Sequence, residues 1–382
     1  MKWTDEHKSI RETAAKFVDN EINPYVDQWE EEGIFPAHQL FKKLGNLGML
    51  GISKPEKYGG LGLDYSYAIV FAEEMGRIRA AGVSTGIGIQ TDMSTPALAK
   101  FGSEDLCHEF LTPAIAGDVV TSIAVSEPHA GSDVAAISTQ AKKEGDDYVI
   151  NGTKMWISNS TQADYFCLLA NTSDDQIHKN KSLIIVPSNT KGVTVSEPLK
   201  KLGLRSSDTA QIFLDDVRVP QRYLIGEEGK GFIYQMMQFQ EERLFAAAAA
   251  LKGYEDIIKD TIEYTKQRET FGKPIIENQA VHFRLAELQT EVELLRALTY
   301  LAVDDYVDGK DVLTKASMAK LKSGRLGREL TDACLQFWGG MGFMWESSVA
   351  RAYRDTRLGS IGGGSDEVML GIISKQMGML DK

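Results

Sequence analysis

Cysteine is scarce in this chain. Cys107, Cys167 and Cys334 stand far apart, with no Cys-x-x-Cys pair and no Cys/His cluster at metal-site spacing. They read as reduced thiols inside cores, and no metal site is expected. Basic charge is also short: 42 Lys and Arg stand against 54 Asp and Glu, a net charge of -12. No basic stripe offers the counter-charge a phosphate backbone demands, which excludes nucleic acid as the partner. Long apolar runs are missing too. The longest, Leu244 to Leu251, falls far short of the roughly 20 residues that cross a bilayer, so no membrane span is expected. The start, Met1-Lys2-Trp3-Thr4-Asp5-Glu6, lacks the basic region and apolar core of a signal peptide, so the reading is a cytoplasmic protein.

What is present suffices for a large core: 382 residues, 43% of them hydrophobic, can hold two or three domains. Residues 1 to 118 carry helical signals. Thr4 is placed to cap a helix with the stripe Ile10, Ala14, Phe17 and Ile22, limited by Pro24. Further helical patterns run from Pro36 to Leu47 and from Tyr65 to Ile78; Thr95-Pro96 followed by Gly102 has the order of a short complete helix, and Ser103 starts the next. Gly59-Gly60-Leu61-Gly62 neither follows a strand nor opens a helix at dinucleotide-fingerprint spacing, and reads as a loop.

From Val119 the texture becomes β, with strands expected at Val119 to Val125, Thr139 to Lys142, Tyr148 to Ile150, Lys154 to Ile157, Tyr165 to Leu169, Ser182 to Val186 and Gln211 to Phe213. Asn151-Gly152 predicts a two-residue hairpin turn, since both residues accept positive φ. After Gly226-Glu227-Glu228-Gly229 the period is helical again, with Met237, Leu244, Leu251 and Ile258 on one face, and later helices over Glu277 to Val307, Lys315 to Phe337 and Ser365 to Met379. The expected fold class is α+β and multidomain: an N-terminal helical domain (1–118), a central antiparallel β domain (119–226) and a C-terminal helical bundle (227–382).

Two carboxylates, Glu241 and Glu242, stand in Gln240-Glu241-Glu242-Arg243-Leu244, directly before an alanine run. Burying them is costly unless they are paired or used. A helical wheel does not choose between them: Glu241 neighbours Met237, Leu244 and Phe245, and Glu242 neighbours Phe239, Phe245 and Ala249. Elsewhere, the loop Ser126-Glu127-Pro128-His129-Ala130-Gly131-Ser132-Asp133 combines small residues that admit a ligand to the backbone with two hydroxyls.

Four separated motifs, that loop, Trp156-Ile157-Ser158, Arg268-Glu269-Thr270-Phe271-Gly272-Lys273 and Gln336-Phe337-Trp338-Gly339-Gly340-Met341-Gly342-Phe343, together resemble the acyl-CoA dehydrogenase family over essentially the whole chain. The resemblance implies FAD as cofactor, an acyl-CoA substrate, an electron-transfer flavoprotein as electron acceptor, and a homotetramer built as a dimer of dimers. It implies flavin contacts from Ile123, Val125, Ser126, Gly131, Ser132, Trp156, Ile157 and Ser158, with Ser132 also near the CoA moiety. It further implies that Arg268, Phe271, Gln279, Gln336, Gly339, Gly340 and Ser365 hold the rest of the cofactor, partly across the subunit interface.

One departure matters. Most relatives carry the catalytic glutamate just before a Gly-(Thr/Ser) pair, where this chain has Gly363 followed by Gly364-Ser365. A branch resembling the isovaleryl and long-chain types supplies it instead in a Glu-Arg-Leu context, which Glu242-Arg243-Leu244 matches. The resemblance therefore makes Glu242 the base, and leaves the Gly363 backbone N–H to hold the thioester carbonyl, because an N–H survives loss of the side chain. Arg243 is expected either to orient substrate or to pair with Glu241, and His129, where relatives carry Gly, reads as a loop variant. Asp92 is a candidate for lining the acyl cavity, since Thr95 is the better helix cap; otherwise it is a loop carboxylate. Rival readings are a flavin-binding relative without dehydrogenase activity, a flavin oxidase, and a flavin-free helical interaction protein. Acyl-chain specificity is not legible.

Overall fold

The computed structural model describes residues 3–380; Met1 and Lys2, part of the N-terminal stretch read above, lie outside it. Helix Asp5–Phe17 begins where Thr4 accepts the His7 N–H, and it buries Ile10, Ala14 and Phe17. The chain then widens into a π-helical turn, Val18–Ile22, before Pro24 stops it. Helices Ala37–Asn46 and Tyr65–Met75 follow as their periodicity predicts, the second capped by Asp64. Ser103 caps the turn after it as expected. Thr95 does not cap. Its hydroxyl donates back to the carbonyls of Gln90 and Thr91, and Gln238 from a distant helix accepts the Ala97 N–H of helix Pro96–Phe101 instead.

The β block has eight strands: β1 (Thr121–Ala124), β2 (Gln140–Glu144), β3 (Asp147–Ser158), β4 (Tyr165–Asn171), β5 (Lys181–Pro187), β6 (Val193–Val195), β7 (Thr209–Pro220) and β8 (Leu224–Ile225). They form one sheet in the order β6-β7-β3-β2-β4-β5-β8, with β1 also paired to β4. Most pairings are antiparallel, as expected, but β1 and β2 run parallel to β4. Strand β4 is buried along its whole length. Tyr165, Cys167 and Leu169 fill one core, while Phe166, Leu168 and Ala170 fill another on the opposite face.

The predicted Asn151-Gly152 hairpin is wrong. β3 runs straight through both residues, the Asn151 side chain accepting the Asp216 N–H at 2.9 Å across a register shift with β7. Gly152 is needed because a Cβ there would stand 2.5 Å from Thr139 Oγ1. The real hairpin joins β2 to β3 at Gly145-Asp146, where Gly145 takes φ +61°.

Helices Gly231–Gln267, Gln279–Val307, Leu313–Trp338 and Asp366–Gln376 make the C-terminal bundle. Leu251 and Ile258 of the first pack on Leu285, Leu288, Leu326 and Leu330, while Leu244 joins a second core with Tyr65 and Ile69. The 231–267 helix thus touches both helical blocks at once. Met237, expected on the same face, is partly exposed near that helix's start. No described helix is long and apolar enough to cross a membrane.

Candidate active site

Glu242 and Gly363 meet. Glu242 projects from the 231–267 helix towards the turn before helix Asp366–Gln376, and a Cβ built on Gly363 would stand 3.0 Å from its Oε1. Gly363 and Gly364 take φ of +63° and +91°, a pair of left-handed residues that glycine adopts without strain. Glu242 is half-buried, and Gly363 is exposed. Burial raises the Glu242 pKa to about 7, even though Arg243 and Lys320 pull it down. A half-buried carboxylate poised near neutrality, beside an exposed backbone turn, can accept a proton.

Its neighbour Glu241 is otherwise engaged. Its carboxylate accepts from the Tyr306 hydroxyl, and its backbone carbonyl accepts from Tyr65 at 3.0 Å. Arg243 is 5% exposed, makes no ion pair with Glu241, and leaves its Nε without a hydrogen-bond partner among the described residues. A buried donor left unpaired is costly.

Asp92 is not a loop carboxylate. It lies in a buried π-helical turn, Ile89–Met93, of the kind that recurs at functional sites. Tyr65 donates to it at 2.8 Å and Thr91 at 2.6 Å. Burial raises its pKa to about 6, against the pull of Lys54. The void beside it, walled by Met49, Leu50, Ile52, Lys54, Phe71 and Thr91, measures about 10 Å³, room for one water and not for an acyl chain. Through Tyr65, Asp92 is tied to the backbone of Glu241.

The residues assigned to the flavin group on β1, its exit loop and β3. The Met155 N–H donates to the Ser126 carbonyl, and Ser122 donates to the Ser158 carbonyl, so loop and strand are laced together. Trp156 takes φ +60° in a register shift of β3 and stands 55% exposed, a side chain re-aimed outwards by the bulge. The position for a Cβ on Gly131 lies 4.0 Å from the Trp156 ring, and Ser132 is exposed beside it. Val125 and Ile157 point instead into the sheet cores, leaving only their backbones for a ligand, while Ile123 is partly buried. An exposed aromatic plane facing a small-residue loop fits a flavin ring.

Below this loop sits a pair that sequence reading missed. Lys154, fully buried, donates to the Val125 carbonyl and to Glu127 Oε1, both at 2.9 Å. Glu127 also accepts from the N–H and hydroxyl groups of Ser138 and Thr139. Burial would raise its pKa, but Lys154 and these donors more than offset it and hold it near 2. The exposed His129 ring lies 3.7 Å from Glu127. Alternation along β3 could have flagged Lys154, a lysine on an inward-facing position, but its partner lies 27 residues away in sequence.

A second group gathers around the turn Gly339–Phe343. Arg268 donates to the Trp338 carbonyl at 3.1 Å and to the Tyr264 hydroxyl at 3.0 Å, Gly339 takes φ +58°, and Phe271 takes φ +52° with its side chain fully exposed. Gln279, Gln336 and Gly340 are exposed in the same block. Ser365 caps the 366–376 helix by accepting the Val368 N–H, which leaves its own proton free. Among the described residues, no hydrogen bond, ion pair or ring contact joins this group to the Trp156 group.

Three family descriptions match in sequence order: acyl-CoA dehydrogenase N-terminal domain over residues 4–118, middle domain over 122–217 and C-terminal domain over 229–378. The long-chain specific acyl-CoA dehydrogenase of Sus scrofa mitochondria is 36% identical over 98% of this chain and 87% of its own length. A probable acyl-CoA dehydrogenase of Bacillus subtilis (strain 168) is 37% identical over 99% of each. The crystal structure of an acyl-CoA dehydrogenase from Geobacillus kaustophilus superposes with a TM-score of 0.94 at 38% identity, covering 98% of each chain. Fold, site geometry and these likenesses converge: the chain belongs to the acyl-CoA dehydrogenase family, an oxidoreductase family whose cofactor is FAD.

Proposed function

We propose that this chain dehydrogenates an acyl-CoA thioester between its α and β carbons, with Glu242 as the base. When bound, FAD supplies the acceptor for the β-hydride. Glu242 removes the α-hydrogen as a proton, and a carbon–carbon double bond is left in the thioester. The Gly363 N–H donates to the thioester carbonyl oxygen, which acidifies the α carbon. That donor needs no side chain, so glycine at 363 is compatible with activity. Arg243 is assigned to orienting the substrate, and Ser132 to meeting the CoA moiety.

The observation that carries this reading is the juxtaposition of the half-buried Glu242 carboxylate, poised near neutrality, with the Gly363 turn. Glu241 already accepts from Tyr306 on one carboxylate oxygen, a partner that Glu242 lacks among the described residues. Asp92 is assigned to holding Tyr65 and the Glu241 backbone in place, since the void beside it has room for one water and not for an acyl chain. The Trp156 and Arg268 groups, joined by no hydrogen bond, ion pair or ring contact among the described residues, are assigned to a cofactor held by two subunits in a dimer of dimers. Electron-transfer flavoprotein is the proposed acceptor of the two electrons.

Glu242→Gln tests the base. The variant is expected to hold yellow FAD but fail to bleach anaerobically with straight, branched or alicyclic acyl-CoAs. Full bleaching at the native rate would remove Glu242 from the mechanism. Rapid reoxidation of the reduced native enzyme in air would replace electron-transfer flavoprotein with oxygen.

A further inference from the structure

Lys320 is the charged group near the base that the reaction above does not use. It lies in helix Leu313–Trp338 and is 3% exposed. Its Nζ donates to the Gly364 carbonyl, the residue immediately after the turn that faces Glu242. Its Cε stands 3.8 Å from the Cβ position of Gly363, the same position that lies 3.0 Å from Glu242 Oε1. Carboxylate, turn and ammonium stem therefore converge on one point from three separate elements.

Burial drives the Lys320 pKa down to about 8, opposed by Asp366 of the last helix and by Glu242, with Arg243 adding to the fall and Glu367 resisting it. A neutral donor would satisfy the Gly364 carbonyl without the desolvation of an ammonium. A cation here needs a further reason, and the neighbouring carboxylate supplies one.

We propose that Lys320 is a positioning residue for the reaction: its ammonium ties the Gly363–Gly364 turn to the 313–338 helix and keeps positive charge beside the Glu242 carboxylate. The turn then presents its N–H at a fixed separation from the base, and the carboxylate stays ionised at lower pH than its burial alone permits. The proposal rests on Glu242 being the base.

The test compares Lys320→Met, Lys320→Gln and Lys320→Arg in the FAD-loaded enzyme, with Glu242→Gln alongside. FAD content and thermal midpoint are measured first, then the rate of anaerobic flavin reduction at saturating acyl-CoA across pH. Lys320→Met is expected to keep FAD and to reduce it about 10- to 100-fold more slowly, the cost of a misplacement near 1 Å. Its acid limb should move up by roughly one pH unit, since an opposite charge nearby favours the ionised carboxylate. Lys320→Gln, which keeps a donor without the charge, should recover part of the rate but not the limb, and Lys320→Arg should recover both. If Lys320→Met fails to fold, the Gln and Arg variants carry the comparison.

A native rate and limb in Lys320→Met or Lys320→Gln, or an Arg variant no better than Gln, overturns the proposal. These outcomes with an inactive Glu242→Gln remove Lys320 alone. A fully active Glu242→Gln removes the base, and the Lys320 proposal with it.

Discussion

Two carboxylates, the buried Glu127 and the half-buried Glu242, differ in how completely the protein answers them. Glu127 takes four donors from Ser138 and Thr139 and an ion pair with Lys154, and its pKa falls to about 2. Glu242 has cations nearby but, among the described residues, none in bonded contact, and its pKa rises to about 7. A carboxylate with every lone pair occupied has nothing left for a proton. One that is desolvated and under-partnered has both the basicity and the vacancy. Glu127 therefore reads as the staple of the loop below Trp156, and Glu242 as the reactive group.

The sharpest way to break this contrast is to neutralise each carboxylate in turn. Glu242→Gln should lower the rate of flavin reduction by about 10²- to 10⁴-fold, the usual worth of a general base, with unfolding unchanged. Lys154→Met should do the reverse, because it strands Glu127 as a buried unpaired charge at a cost of about 3–5 kcal/mol. Chemical denaturation and FAD retention measure that loss, and flavin that remains bound should reduce at the native rate. Equal damage to activity per bound flavin in both variants would erase the distinction.

pH separates the two groups next. Activity should rise with pH through about 7 as Glu242 ionises. The Glu127 contribution runs on another scale: its folded pKa lies below the value of 4.5 for an unhindered glutamate, so its stabilisation is complete above that pH and is lost as pH falls towards 2. An acid limb in the rate that coincides with acid unfolding would merge the two.

Moving the carboxylate is a finer test. Adding Gly363→Glu to Glu242→Gln places a side chain at the position 3.0 Å from the original carboxylate oxygen, so partial return of bleaching is expected. The return should fall short of the native rate, because φ of +63° strains a non-glycine residue by about 1–2 kcal/mol. The smallest expected effect is that of Glu241→Gln, which can still accept from Tyr306 and should leave the rate within about fivefold, since neutral and charged hydrogen bonds differ by only about 1 kcal/mol. A loss as deep as that of Glu242→Gln would transfer the base to its neighbour.

Much of the architecture was legible because it is locally encoded. Thr4, Asp64 and Ser103 cap helices through hydroxyls or carboxylates two or three residues from the N–H they serve, and the stripe from Ile10 to Phe17 repeats at helical spacing. Local rules failed where a distant group outbid them. Asn151-Gly152 has the chemistry of a turn, but β2 and β7 flank it and hold it extended. Thr95 has the position of a cap, but the Gln90 and Thr91 carbonyls claim its hydroxyl and Gln238 serves the helix instead.

The sequence alone carries the helix, sheet, helix order, the three isolated thiols and the motifs that mark the family, since each lies within a short window of the chain. It could not choose between Glu241 and Glu242 on a wheel, nor say what surrounds Asp92. Tertiary structure decided those points. Tyr306 occupies one carboxylate, the 363–364 turn meets the other, and Lys54 and Tyr65 enclose the third. The physical reason is that a carboxylate's basicity depends on which dipoles and charges surround it, and here those arrive from residues dozens to hundreds of positions away.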